Sequence, residues 1–154
     1  MNPDNFFEYF KEEFFIKELK SKSKNDVLEE MVSHLENYNT LKDSTLILDM
    51  LKRREKIGST GIGSGIAIPH GRTISVEDLL VVYGKSTHKI EYDAIDKKPV
   101  NMFFMIIAPP QEQSNLYLPF LGKLVEILNS RKVRKALTEV ASYDEFISVL
   151  AGGY

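Results

Sequence analysis

The sequence predicts a mixed α+β fold, a three-layer α/β/α sandwich around one central mixed sheet. Residues 100–107 form an apolar run rich in β-branched and aromatic side chains between Pro99 and Pro109, the pattern of a central strand covered on both faces. Segments with apolar residues at helical spacing lie both before and after that run, so helices are available for each face. No internal repeat, low-complexity tract or linker divides the chain. Its 154 residues suit one domain, 1–154, expected to bury about 68–70% of its unfolded surface.

In chain order, residues 6–10 read as a short helix and 14–19 as a strand, although this aromatic-rich start equally fits one amphipathic helix. Ser23 with Asp26 resembles a capping box, after which Val27, Leu28, Met31, Val32, Leu35 and Tyr38 share one helical face. A second helix covers about 44–56, with Leu46, Ile47, Met50 and Leu51 as its buried side and Gly58 as its stop. Its last turn carries Arg53 and Arg54, where the helix dipole alone favours cations. Residues 79–83, bounded by Gly84, read as a strand, and 89–95 as a short strand or connection. A helix over about 114–129 is marked by Tyr117, Leu118, Leu121, Leu124, Val125 and Leu128 at helical spacing. Val133, Ala136, Leu137 and Val140 suggest another, and Ser142 with Glu145 caps a last one holding Phe146, Val149 and Leu150.

The chemistry concentrates in residues 58–72, Gly-Ser-Thr-Gly-Ile-Gly-Ser-Gly-Ile-Ala-Ile-Pro-His-Gly-Arg. Five of the nine glycines fall within 14 residues there and lead into His70. Glycine is accepted at such density where the backbone must reach positive φ or approach another group closely. A loop of this kind can aim several N–H dipoles at one anion. An imidazole, with an unperturbed pKa of about 6.5, is a neutral nucleophile near pH 7. With Arg72 two residues on, and Arg53, Arg54 and Lys56 just before the loop, the arrangement reads as a phosphoryl acceptor.

The other readings of this loop fail on spacing. A nucleotide-cradling loop needs a lysine after the second glycine of Gly-x-x-x-x-Gly, but Ser64 and Gly65 follow Gly58 and Gly63. A dinucleotide fingerprint needs a third glycine where this chain has Ile66 or Ile68. Ser64, flanked directly by glycines, lacks the spacing of a nucleophile elbow.

At this length the signature carries a resemblance. The run Arg54-Glu55-Lys56-x-Gly58 through Pro69-His70-Gly71, the segment Tyr92-Asp-Ala-Ile-Asp-x-Lys-Pro-Val100 and the strand ending Ile107-Ala-Pro-Pro110 are similar to the enzyme IIA domains of the fructose/mannitol type. These belong to the bacterial phosphoenolpyruvate-dependent phosphotransferase system. The wording around Asp93 and Asp96 is closer to the stand-alone nitrogen-regulatory branch. The resemblance covers nearly the whole chain and implies the same three-layer fold. It implies that His70 accepts a phosphoryl group from the histidine of the carrier HPr, with Arg54 beside it.

Phosphoryl transfer is mostly positioning and charge stabilisation. The expected holders of the phosphoryl oxygens are therefore Arg54, Arg72 and the loop at Ser59, Thr60, Gly61, Gly63 and Gly65. One ring nitrogen of His70 must be a donor, to a backbone carbonyl, to fix the tautomer. Members of the family usually carry a second active-site histidine early in the helix after the apolar strand, and here Asn115 takes that place. An amide can donate a hydrogen bond to phosphate but cannot become cationic. That favours a regulatory phosphocarrier. The alternatives are a sugar-transport component that passes phosphate to a fructose/mannitol-type enzyme IIB, or a module that binds an anion or partner without covalent chemistry.

Composition bounds the rest. A formal charge of −2 and a pI near 6.0 argue against a general nucleic-acid binder. With no cysteine and three unclustered histidines there is no first shell for zinc, and no cofactor is expected. His34 reads as an exposed helical residue, His88 as a turn residue, and Asp93 and Asp96 as turn caps. The cluster Arg131, Lys132, Arg134 and Lys135 alternates with Val133 and Ala136, as the wet side of a helix does. No leader pattern is visible at the start and no apolar run approaches the ~20 residues of a membrane span. The expected location is the cytoplasm, without membrane insertion.

Overall fold

The computed structural model describes residues 3–38, 43–112 and 115–153. A short helix α1 (Pro3–Phe6) and two 3-10 turns (Phe7–Tyr9, Glu12–Phe14) lead into β1 (Phe15–Ile16). Helices α2 (Lys24–Glu36) and α3 (Ser44–Ile57) follow, then strands β2 (Gly61–Gly63), β3 (Ile66–Ala67) and β4 (His70–Arg72). The long strands β5 (Leu80–Ile90) and β6 (Val100–Ala108) precede α4 (Tyr117–Leu128), α5 (Arg131–Glu139) and α6 (Tyr143–Leu150). The six strands form one mixed sheet in the order β1-β5-β6-β3-β2, with β4 also on β6.

Strand β6 is central, as its unbroken apolar run requires. Its side chains alternate between two cores. Phe103, Met105 and Ile107 pack with Val27, Leu28, Ile47 and Leu51 of α2 and α3. Met102, Phe104, Ile106 and Ala108 pack with Phe120, Leu124, Val133, Leu137 and Phe146 of the last three helices. This is the expected three-layer sandwich. Among the described residues, no helix is long and apolar enough to cross a membrane.

Strands β3 and β4 lie on β6 in one parallel register, Ile66 opposite Met102 and His70 opposite Ile106. They are one strand interrupted at Ile68-Pro69, where proline has no N–H for the ladder but its carbonyl still accepts from Ile106 at 2.9 Å. The chain therefore delivers His70 late along two parallel strands, close to where β6 ends.

Several elements differ from the sequence reading. The start is neither one amphipathic helix nor a strand over 14–19, because β1 has only two residues and pairs with Tyr83 and Gly84. Strand β5 does not stop at Gly84. A Cβ there would lie 2.9 Å from Leu19, so this glycine serves a close approach and not a turn. Consequently His88 sits within β5, and 91–95 holds no regular strand. Helix α4 begins at Tyr117, and its buried stripe is Tyr117, Phe120, Leu124 and Leu128 while Leu118 and Val125 are exposed. In α3 Leu46 is exposed and the buried stripe runs Ile47, Leu51, Glu55. Tyr38 lies beyond the end of α2, edge-on to Phe14. His34 is half-buried, with Nε2 2.7 Å from the Glu13 carbonyl. The Ser23 and Ser142 caps form as expected, accepting from Asp26 and Glu145 N–H groups.

Candidate functional site

His70 opens β4, half-buried. Its Nδ1 lies 2.7 Å from the carbonyl oxygen of Ile68. A carbonyl only accepts, so Nδ1 carries the proton and Nε2 keeps its lone pair. The Ile68–Pro69 bond is trans, and Pro69 fixes φ one residue before the ring.

Two residues on, Arg72 leaves β4 on the same face as His70, since side chains alternate along a strand. That face is the one covered by α4. The Arg72 guanidinium carbon lies 4.5 Å from the centre of the Tyr117 ring, and Nη1 donates to the Pro109 carbonyl at 3.0 Å and to that of Pro110 at 3.5 Å. The Tyr117 ring is in turn 6.4 Å from the His70 ring, tilted by 51°.

Arg54 arrives from the other layer. Between His70 and Arg72, Gly71 faces α3, and a Cβ there would fall 2.0 Å from the Met50 sulfur. The glycine thus lets α3 close onto β4. Arg54 is one turn beyond Met50 on the same helix face, half-buried, with Nη1 donating to the Gly58 carbonyl at 2.7 Å. Burial pushes the Tyr117 hydroxyl above its ordinary pKa, while the Arg72 and Arg54 charges both pull it down.

The glycine loop does something else. The N–H of Thr60 donates to the Glu55 carboxylate at 3.0 Å, that of Gly61 to Ser59 Oγ at 3.1 Å, and that of Ser64 to Asp96 at 2.9 Å. The Ser59 hydroxyl donates to the Tyr92 carbonyl at 2.6 Å. Gly63, Ser64 and Gly65 all have positive φ and form the β2–β3 turn. Gly65 sits beside Asn101 and His70 beside Ile106. Five residues of strand separate them, about 16 Å at ~3.3 Å per residue. Gly63 and Gly65 are therefore far from His70, and the N–H groups of Thr60 and Gly61 are taken up by the fold. The expected cradle of Ser59, Thr60, Gly61, Gly63 and Gly65 gives way to a hairpin that docks on the sheet, with Gly61 close against Ala94.

Asn115 lies two residues before α4, exposed, with φ at 49° and its N–H 3.4 Å from the Glu112 carbonyl. This left-handed backbone is one that asparagine adopts more readily than most residues. Asp96 caps a turn as expected, its carboxyl held below the usual range by the Ser64 and Lys98 N–H groups.

Two residues of the site escape a sequence reading. Tyr117 looks like any core position at the start of a helix. Glu55 carried a signal: an acid in the last turn of a helix opposes the dipole, and its spacing from Ile47 and Leu51 puts it on the buried stripe. Its carboxylate accepts from the Thr60 N–H and hydroxyl and pairs with Lys24 at 3.1 Å, while the Thr60 hydroxyl also meets Tyr92 OH at 3.3 Å.

The chain that builds this site has relatives. The family model described as "Phosphoenolpyruvate-dependent sugar phosphotransferase system, EIIA 2" matches residues 8–152. The chain belongs to this EIIA 2 family. Similar sequences include the fructose-specific EIIABC component of Bacillus subtilis, 36% identical over 132 residues, which cover 86% of this chain and 21% of that longer protein. They also include the nitrogen regulatory protein of Escherichia coli, 32% identical over 124 residues, covering 79% of this chain and 74% of the relative. The chain spans about a fifth of the fructose component but most of the nitrogen regulatory protein. Among solved structures, nitrogen regulatory protein IIA-Ntr of Neisseria meningitidis superposes with a TM-score of 0.85 at 29% identity, covering 94% of this chain and 97% of that one. The EIIA 2 domain thus has relatives in both the sugar-transport and the nitrogen-regulatory branches.

Proposed function

We propose that this EIIA 2 domain is a regulatory phosphocarrier that accepts a phosphoryl group on Nε2 of His70 from the phosphohistidine of an HPr-type carrier in the cytoplasm. The observation that carries the reading is the Nδ1–H bond to the Ile68 carbonyl, which leaves the Nε2 lone pair as the nucleophile. That lone pair attacks phosphorus as the carrier's N–P bond breaks. The carrier's ring, protonated on its other nitrogen, leaves neutral with the electron pair of the broken bond. His70 becomes a phosphorylated imidazolium that keeps its Nδ1 proton, donated to the Ile68 carbonyl. Arg54 and Arg72 meet the charge on the equatorial oxygens, where fixed cations outperform solvent because they need no reorganisation.

The regulatory reading rests on Asn115 in place of a titratable second histidine, and on relatives named nitrogen regulatory protein. A sugar-transport reading, with transfer onward to an enzyme IIB, is favoured by the fructose-specific relative. Incubation with phosphoenolpyruvate, enzyme I and HPr, followed by intact mass, tests the core of the proposal. One acid-labile, base-stable phosphoryl group is expected, absent from His70→Gln. Label persisting in that variant would contradict it. Rapid loss of the label to a fructose-type enzyme IIB would shift the reading from regulation to transport.

A further inference from the structure

We propose that Tyr117 is a positioning residue of the phosphoryl site, its ring holding the Arg72 guanidinium beside His70. The inference rests on the reading of His70 as the phosphoryl acceptor and extends it to a side chain outside the signature.

The geometry sets one aromatic ring against both functional groups. The guanidinium lies over the ring face at 4.5 Å, and the imidazole lies at 6.4 Å from the same ring centre. Tyr117 is a fixed platform: it is 6% exposed, it is the first residue of α4, and its N–H donates to the Glu112 carboxylate at 2.6 Å. Arg72 itself is exposed and long, so without a platform it would sample many rotamers. The contacts that fix it are neutral ones, the π face and the carbonyls of Pro109 and Pro110. Arg53, by contrast, is paired with Asp49 at 3.0 Å. Among the described residues no carboxylate pairs with Arg72, so its positive charge is oriented without being cancelled. A planar guanidinium stacks on an aromatic face and keeps its edge donors free, which an ammonium cannot do.

This gives the site a cation whose charge does not titrate. It also separates the ring of Tyr117 from its hydroxyl. The ring is the working part, so Tyr117→Phe should preserve function and Tyr117→Leu, which keeps an apolar side chain but no π face, should not.

The test is a double-mutant cycle on single-turnover transfer from phosphorylated HPr, with thermal melts confirming that each variant is folded. Arg72→Ala and Tyr117→Leu are each expected to slow transfer by about 3–30-fold, the rate equivalent of one stacked cation. The double variant should be no slower than Arg72→Ala alone, and Tyr117→Phe should stay within about twofold of wild type. The Arg72 Nε–H resonance should show a ring-current displacement in wild type and Tyr117→Phe that Tyr117→Leu abolishes. Multiplied losses in the double variant, or a Tyr117→Phe protein as slow as Tyr117→Leu, would overturn the inference while leaving His70 phosphorylation standing. Should Tyr117→Leu not fold, Arg72→Lys replaces it, and wild-type transfer by that variant would likewise overturn the inference. A wild-type protein that takes no label at all would instead overturn the reading of His70, and this one with it.

Discussion

Arg54 lies at the end of α3, in the last turn before the loop that leads to His70. One guanidinium nitrogen is occupied by the Gly58 carbonyl, which leaves the fork oriented and its remaining donors for an anion. Replacing it with alanine is expected to slow phosphorylation by about 10–100-fold, the equivalent of a charged hydrogen bond of about 1.5–3 kcal/mol. Unchanged single-turnover kinetics in a folded Arg54→Ala protein would remove it from the site. At Asn115 the backbone is left-handed, a conformation histidine tolerates better than most residues. Asn115→His is therefore expected to fold and to change the rate or pH profile of transfer between about pH 5.5 and 8, where an added imidazole gains charge. A profile coincident with wild type would show that residue 115 is remote from the phosphoryl group. His70 stands out as a candidate in the sequence because glycines and a proline bracket a lone imidazole. Tyr117 does not, because a ring at a helix start reads as core whether or not it also faces a site.

The elements are joined to the site by a polar clasp. Glu55 ties the last turn of α3 to Thr60, the residue before β2, and to α2 through Lys24. Removing the carboxylate leaves the Thr60 N–H and the Lys24 ammonium without their partner, so Glu55→Ala is expected to lower stability by about 2–4 kcal/mol in urea titrations. It should slow phosphorylation too, since Arg54 is the adjacent residue. Full stability in Glu55→Ala would show that the clasp is dispensable. Most elements were legible from periodicity, β6 and the capped helices above all. The misreadings trace to tertiary packing: Gly84 admits Leu19 and is no stop, and the glycines at 61–65 build a hairpin instead of an anion cradle. Local sequence shows that a backbone position demands glycine, but not which neighbour makes the demand.

For the whole molecule, the two cores on either side of β6 contain buried phenols that govern behaviour at high pH. Burial pushes the Tyr83 hydroxyl well above its usual range, and burial with the Glu55 charge does the same to Tyr92. Below about pH 10 both are neutral whether folded or not. Above it the unfolded chain ionises and the folded one does not, so stability falls by about 1.4 kcal/mol per pH unit for each phenol. The Tyr83 hydroxyl also has no hydrogen-bond partner among the described residues, set as it is among Phe15, Phe104 and Phe146. Tyr83→Phe is expected to gain about 1 kcal/mol at neutral pH, raising Tm by about 2–4 °C, and to lose stability less steeply above pH 10. Urea titrations from pH 7 to 11 check both, and an unchanged alkaline slope would contradict the assignment.

The central claim, a phosphoryl group on Nε2 of His70, is tested most directly by NMR of the histidine-labelled protein after incubation with phosphoenolpyruvate, enzyme I and HPr. The expected result is a phosphorus coupling on the His70 nitrogen that does not face Ile68, with the Nδ1 proton retained. Coupling to Nδ1, or no phosphorus–nitrogen bond at His70 at all, would contradict it.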